Sequence, residues 1–166
     1  MGAYGGTSQA SMSLSQVGDA RDLNNDNLIT WDDVLLLSDK WDSNDVPIKE
    51  DLNLDGVVDV NDLAFFYGNW PGDSGNIPPV LDSIEDKHVT VNNLLSFTVS
   101  ASDNDGDELV YKALGLPEGA EFSDQSFIWT PEEAGIYSVT FIVSDYKSLD
   151  YITVKIIVEE ELSTEK

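Results

Sequence analysis

Two stretches of this sequence place oxygen-bearing side chains at alternate positions. Asp22, Asn24, Asp26 and Thr30 lead up to Asp33 in the first, and Asp51, Asn53, Asp55 and Asp59 lead up to Asp62 in the second. Oxygens at that spacing suit a hard cation. Calcium takes six to eight of them at roughly 2.3–2.6 Å, and a tightly wrapped loop supplies them from every second residue. Both stretches fit the twelve-residue pattern D-x-[DN]-x-[DN]-G-x5-[DE] of calcium loops. The carbonyls of Leu28 and Val57 complete the two sets at position seven, and Thr30 at position nine would act through water. Position six needs a positive φ, which glycine adopts at no steric cost. Gly56 supplies it in the second loop; Asn27, the next most tolerant type, stands there in the first. With three ligand carboxylates against four, the first loop is expected to bind more weakly. Seven carboxylates gathered without cations would repel one another, so cation binding and folding should be coupled. Two calcium ions per chain are the expectation.

The elements around these loops repeat as well. Residues 22–41, DLNNDNLITWDDVLLLSDKW, align with residues 51–70, DLNLDGVVDVNDLAFFYGNW, at an offset of 29. Apolar positions travel with the acidic ones: Leu28/Val57, Ile29/Val58, Val34/Leu63, Leu36/Phe65 and Leu37/Phe66. Ile29 and Val58, at position eight, should pack inward and tie the loops together. After each loop the spacing of Val34, Leu37 and Trp41, and of Leu63, Phe66 and Trp70, predicts a short helix with one apolar face. The two faces should bury against each other around a pseudo-twofold axis. Gly18 and Pro47 argue against long entering helices, so the unit reads as a duplicated loop–helix.

The second half has a different period. Leu95, Phe97, Val99 and Ala101 alternate with polar residues, as do Tyr137, Val139, Phe141 and Val143, and Ile152, Val154, Ile156 and Val158. Period-two alternation predicts strands with one buried face. Further strands are expected near 86–91, 108–114 and 126–130, with turns at Asn92-Asn93, Asp105-Gly106, Pro117-Glu118-Gly119 and Glu133-Ala134-Gly135. About seven short strands in this span predict a β-sandwich. The chain thus divides into an extension (1–14), a small α calcium-binding domain (15–71), a Pro/Gly linker (72–79), an all-β sandwich (80–160) and a tail (161–166). Asp103, Asp105 and Asp107 form a third acidic cluster. It reads either as a solvated hairpin turn or as an accessory calcium site helped by Asp145 or Glu85. His88 reads as a surface residue of a strand.

Composition narrows the function classes. Among 166 residues, 32 are acidic and 8 basic, giving a formal charge of −24, with no cysteine and one histidine. Such a charge opposes nucleic-acid binding and docking on anionic membranes. The absence of cysteine excludes thiol catalysis and Cys-ligated zinc. No apolar run is long enough to insert in a membrane. The opening MGAYGGTSQAS lacks the basic and apolar segments of a signal peptide and reads as a linker or excised fragment. Paired carboxylates could perform acid–base chemistry, but the clustered ones are assigned to calcium and no nucleophile–base pair is apparent. An enzyme is not expected; hydrolase activity would belong to upstream domains.

The two copies of D-L-N-x-D-x-[LV]-[IV]-x-x-x-D, each followed by an apolar helix, resemble a type I dockerin over about residues 15–72. That resemblance implies a non-catalytic module that binds a cohesin-like partner and attaches a secreted, polysaccharide-active or cell-surface protein. In such modules loop positions ten and eleven contact the partner; here these are Trp31-Asp32 and Val60-Asn61. The later helix contacts fall on Ser38-Asp39 and Tyr67-Gly68. Residues 78–158, with PPVLDSIEDKHV, LSFTVSASDNDGDELVYKALGLPEGAEF and FIWTPEEAGIYSVTFIVSD, resemble the cadherin-like, Ig-like domains of secreted bacterial and archaeal proteins. This implies an Ig-like sandwich in which Trp129 and Tyr137 are structural aromatics. The opening residues also resemble the last turn of a parallel β-helix. Two alternatives stand beside cohesin attachment: a structural spacer in which the two halves pack together and calcium rigidifies the joint, and a calcium-dependent polysaccharide-binding or adhesion module built on the sandwich.

Overall fold

A computed structural model describes residues 19–26, 28–44, 49–68 and 75–161. The expectations for Asn27, Trp70 and the chain opening lie outside these residues.

Each acidic loop runs directly into a helix of nine residues, α1 (Trp31–Asp39) and α2 (Val60–Gly68). Helices this short are marginal alone in water and need tertiary packing. Val34, Leu37, Leu63 and Phe66 supply it: all four are fully buried in one cluster with Leu23, Ile29, Leu52 and Val58. Trp41 lies beyond the end of α1, where Lys40 caps the helix. Ile29 and Val58 share the cluster, but the backbone of Val58 pairs elsewhere: its N–H donates to Ser43 O at 3.0 Å, and its carbonyl accepts from Asp42 N at 2.8 Å.

The β-rich half has nine strands: β1 (Val80–Leu81), β2 (Lys87–Thr90), β3 (Leu95–Thr98), β4 (Ala101–Ser102), β5 (Val110–Leu114), β6 (Glu121–Ser123), β7 (Ser126–Trp129), β8 (Gly135–Ser144) and β9 (Leu149–Glu159). The main sheet has the order β2-β9-β8-β5, a second has β3-β7-β6, and β1 pairs with β4. Neighbours are antiparallel except β2 and β9, which run parallel from Lys87↔Ile156 to Thr90↔Glu159. Gly135 begins β8 rather than ending a turn, because its backbone pairs with Val158.

Between the two larger sheets lies a core of Val99, Phe127, Trp129, Val139, Phe141, Val154, Ile156 and Val158. Phe97 stacks on Phe127 at 4.9 Å, and Phe141 meets Phe127 edge-on at 5.9 Å. Trp129 donates its indole N–H to Glu118 O, and its ring lies edge-on to Tyr137 at 4.8 Å. Both are structural aromatics, in line with the sequence reading.

The outer face of the main sheet is not left to solvent along its whole length. Leu114, Ile142 and Leu149 are buried to 3% exposure or less, and they belong to the same cluster as the two helices. Tyr67 of α2 meets Tyr151 of β9 edge-on at 6.5 Å. Trp41 lies so close to Gly115 that a Cβ there would stand 3.0 Å from its indole nitrogen and 3.1 Å from Ser138 O. Gly115 also has φ +70°, a second reason for glycine. Further along the same face Ile136, opposite Ile157, is 71% exposed. The halves therefore share one apolar cluster. Ile142→Ala should cost about 2–4 kcal/mol, and Ile136→Ala less than about 0.5 kcal/mol, as measured by denaturant unfolding.

Candidate functional site

The first loop is organised by its last carboxylate. Asp33 Oδ1 accepts from the N–H groups of Leu23 (2.8 Å) and Asn24 (3.2 Å), and Oδ2 accepts from Thr30 N (2.8 Å). Thr30 caps α1, its hydroxyl accepting from Asp32 N, so Asp33 completes a capping box. One carboxylate thus closes the loop and starts the helix.

The second loop repeats this frame, 29 residues on. Asp62 Oδ1 accepts from Leu52 N (2.6 Å) and Asn53 N (3.1 Å), and Oδ2 accepts from Asp59 N (2.8 Å). Asp59 caps α2 by accepting from Asn61 N at 2.7 Å. Within the loops, Asp22 and Asp51 each accept from the N–H four residues on, that of Asp26 or Asp55. Asn24 and Asn53 accept from the same two N–H groups, both at 2.9 Å. Two stretches with this identity of bonding are one structural unit used twice.

The electrostatics of this frame are one-sided. Asp33 and Asp62 are fully buried, and Asp22 and Asp51 nearly so. A buried carboxylate requires compensation by hydrogen bonds or positive charge. Backbone N–H groups and the helix N-termini provide part of it. Among the described residues no Lys or Arg forms an ion pair with Asp26, Asp33, Asp51, Asp55, Asp59 or Asp62. Lys49 instead donates to the carbonyl of Leu23, joining the two copies. Asp51, Asp55 and Asp62 each offer an oxygen within 4.8 Å of the other two. Oxygens bound to one calcium ion at about 2.4 Å can be no further apart than about twice that. Asp51, Asp55 and Asp62 therefore fit a hard cation in donor type, charge and reach, whereas the carboxylates of Asp22, Asp26 and Asp33 are not brought together to that distance.

Backbone strain marks the same loops. Asn25 and Leu54, one repeat apart, both have φ near +60°, and Gly56 has φ +98°. Asn tolerates the left-handed region, whereas a γ-branched Leu does so at a cost. Leu54 is also 83% exposed, so packing does not repay that strain. Of the residues expected to face a partner, Asp32 and Asn61 are exposed and Val60 is half-buried. Trp31 corrects the expectation: it is 9% exposed and packs in the core beside Val34 and Leu37, because its position lies on the inward face of α1.

The third acidic cluster differs in kind. Asp103, Asp105 and Asp107 bring oxygens within 4.8 Å of one another. Asp103 Oδ1 accepts from the N–H groups of Asp105, Gly106 and Asp107, the geometry of a turn. The neighbouring Asp105 carboxyl holds Asp103 below the usual carboxylate range, and Asp105 is pushed up in return. Lys147 donates to Asp107 Oδ2 at 2.6 Å, so this cluster carries its own cation. Beside it, Asp145 is 3% exposed and accepts from Asn76 Nδ2, Lys147 N and Ser148 N. Burial opposes ionisation of Asp145, but these bonds outweigh it and hold the carboxyl low. Asn76 and Ile77, the latter bonded to Asp105, thereby tether the segment preceding the sandwich. His88 is exposed, as expected of a surface residue, with Nδ1 3.8 Å from Glu159.

Comparison with known proteins bears on the β-rich half. Residues 78–159 match the family model described as "Putative Ig domain". By fold, this half is an Ig-like β-sandwich. Among solved structures, an endo-fucoidan hydrolase of glycoside hydrolase family 107 is similar at 22% identity and TM-score 0.45, over 56% of this chain and 15% of that one. The PKD domain of an M14-like peptidase from Thermoplasmatales archaeon SCGC AB-540-F20 is 18% identical at TM-score 0.39, over 51% and 98% of the two chains. Human protocadherin-24 EC1-2 is 21% identical at TM-score 0.39, over 51% and 44%. The chain spans 18% or less of the glycoside hydrolases it is compared with. No curated protein matches it in sequence. Among the described residues no helix is long and apolar enough to cross a membrane.

The missed residues are those of the joint: Leu114, Ile142, Leu149, Trp41 and Tyr151. One signal was present. From Val139 to Ser144 every residue of β8 is buried, and the run FIV breaks the alternation. A strand covered on both faces reads that way.

Leu54→Asn should stabilise the protein by about 0.5–1 kcal/mol by relieving left-handed strain, as read from the shift of the thermal midpoint. The lowered Asp145 carboxyl stabilises the fold fully above the unfolded pKa of about 3.9, and that contribution is lost as pH falls through the folded value. Asp145→Asn should therefore lower stability at neutral pH and flatten its decline below about pH 4, as followed by urea unfolding across a pH series.

Proposed function

We propose that residues 15–71 form a calcium-binding, dockerin-type module that attaches its parent extracellular protein to a cohesin-like partner. The observation that carries the calcium part is the duplicated frame: two loops with the same bonds, each closed by a fully buried carboxylate at position twelve. Asp22, Asn24, Asp26, the Leu28 carbonyl, Thr30 and Asp33 would hold one ion. Asp51, Asn53, Asp55, the Val57 carbonyl, Asp59 and Asp62 would hold the other. The ions would supply the positive charge that the described side chains do not. On this reading the chain is non-catalytic and secreted or surface-attached. Asp32 and Asn61, being exposed, are the partner contacts the reading retains.

A specific observation also favours the second reading, a calcium-rigidified structural spacer. Leu114, Ile142 and Leu149 of the Ig-like domain lie in the same cluster as α1 and α2, as a rigid joint requires. The readings agree about calcium and differ about the partner. Isothermal calorimetry on the full chain should show about two calcium ions bound, and Asp33→Ala or Asp62→Ala should each remove one. No binding at millimolar calcium would refute both readings. A pull-down against cohesin modules then separates them, since the spacer predicts no capture.

A further inference from the structure

The joint between the halves has properties of its own. Among the described residues two clusters make up the apolar interior, and they divide the main sheet between its faces. Val139, Phe141, Val154 and Ile156 point into the sandwich, and Leu114, Ile142 and Leu149 point out beneath the helices. The inner cluster is drawn entirely from residues 81–158 and contains the ring contacts among Phe97, Phe122, Phe127 and Phe141. It owes nothing to α1 or α2. The outer cluster draws nine of its twelve buried members from residues 23–66. Those nine are held in place by two nine-residue helices, each started by a loop with buried carboxylates. Short helices do not persist without their packing, and buried like charges disfavour the closed loops. The Ig-like domain can therefore stand alone, whereas its cover depends on the loops.

From this arrangement we propose that cation occupancy of the loops controls whether the outer face of the β5–β8–β9 sheet is covered. With the loops filled, α1 and α2 seal Leu114, Ile142, Leu149 and Tyr151. With the loops emptied, the helix pair comes away from an intact sandwich and this apolar row is uncovered. Further along the same face, beyond Thr140, Ser138, Thr153 and Lys155, stand Ile136 and Ile157, of which Ile136 is exposed already. The proposal rests on the calcium reading above and adds a consequence that reading does not require.

The chain's lack of cysteine allows a direct test. Ile142→Cys places a thiol on the covered outer face, and Val139→Cys places one in the inner core three residues away. Both native side chains are fully buried. Thiol-labelling rates are compared in calcium and after chelation, with calcium isotherms on the same variants. Chelation should raise labelling of Ile142→Cys by about 100-fold or more and that of Val139→Cys by less than about threefold. Leu114→Cys provides a second outer-face reporter should Ile142→Cys fail to fold. Equal acceleration at both faces would mean global unfolding and would overturn the proposal. Unchanged labelling alongside a normal calcium isotherm would overturn it too, leaving the calcium reading intact. Absence of calcium binding would overturn both.

Discussion

Asp33 and Asp62 each do two jobs with one carboxylate. One oxygen receives the N–H groups at the start of its loop, and the other receives the N–H of the helix N-cap. Loop closure and helix initiation are thereby a single event. Without that bond set, residues on either side would have no reason to converge, and α1 and α2 would begin at no defined place. Full burial makes the arrangement costly unless positive charge answers it.

The Ig-like half solves a different problem with different means. Its two larger sheets close over rings of Phe, Trp and Tyr, and hydrogen bonds from Trp129 and Tyr137 to loop carbonyls pin the ends. What it cannot do alone is cover both sides of β8. From Val139 to Ser144 that strand is buried on both faces, with Ile142 on the outer one, so that face needs a second layer. The loop–helix pair is that layer. Trp41 against Gly115 and Tyr67 against Tyr151 fix where it sits. The net charge of −24 is compatible with this packing because the contact itself is apolar.

Much of this was legible in the residues. Period-two alternation marked the longer strands, and the offset of 29 marked both loops and both helices. Gly56 takes the left-handed conformation expected of position six. The misses have physical causes. Trp31 was placed outside because loop position ten was read from a motif, whereas its burial is decided by the phase of α1. The helix ends short of Trp41 because Lys40 leaves helical geometry there. The joint left one trace in the pattern, the run FIV in β8, but which surface covers that strand is not encoded locally. Leu54 was passed over because a motif wildcard hides a strained φ. The third cluster read as ambiguous because the cation beside it, Lys147, is 40 residues away in sequence.

The parallel pairing of β2 with β9 has a mechanical consequence. The strand near the start of the Ig-like domain and the strand that ends it lie side by side and point the same way. The chain therefore enters at one end of the sheet and leaves at the other. Tension applied through the two chain directions would pull these strands past each other along their length. Their hydrogen bonds would then be loaded together in shear, not opened one at a time like a zip.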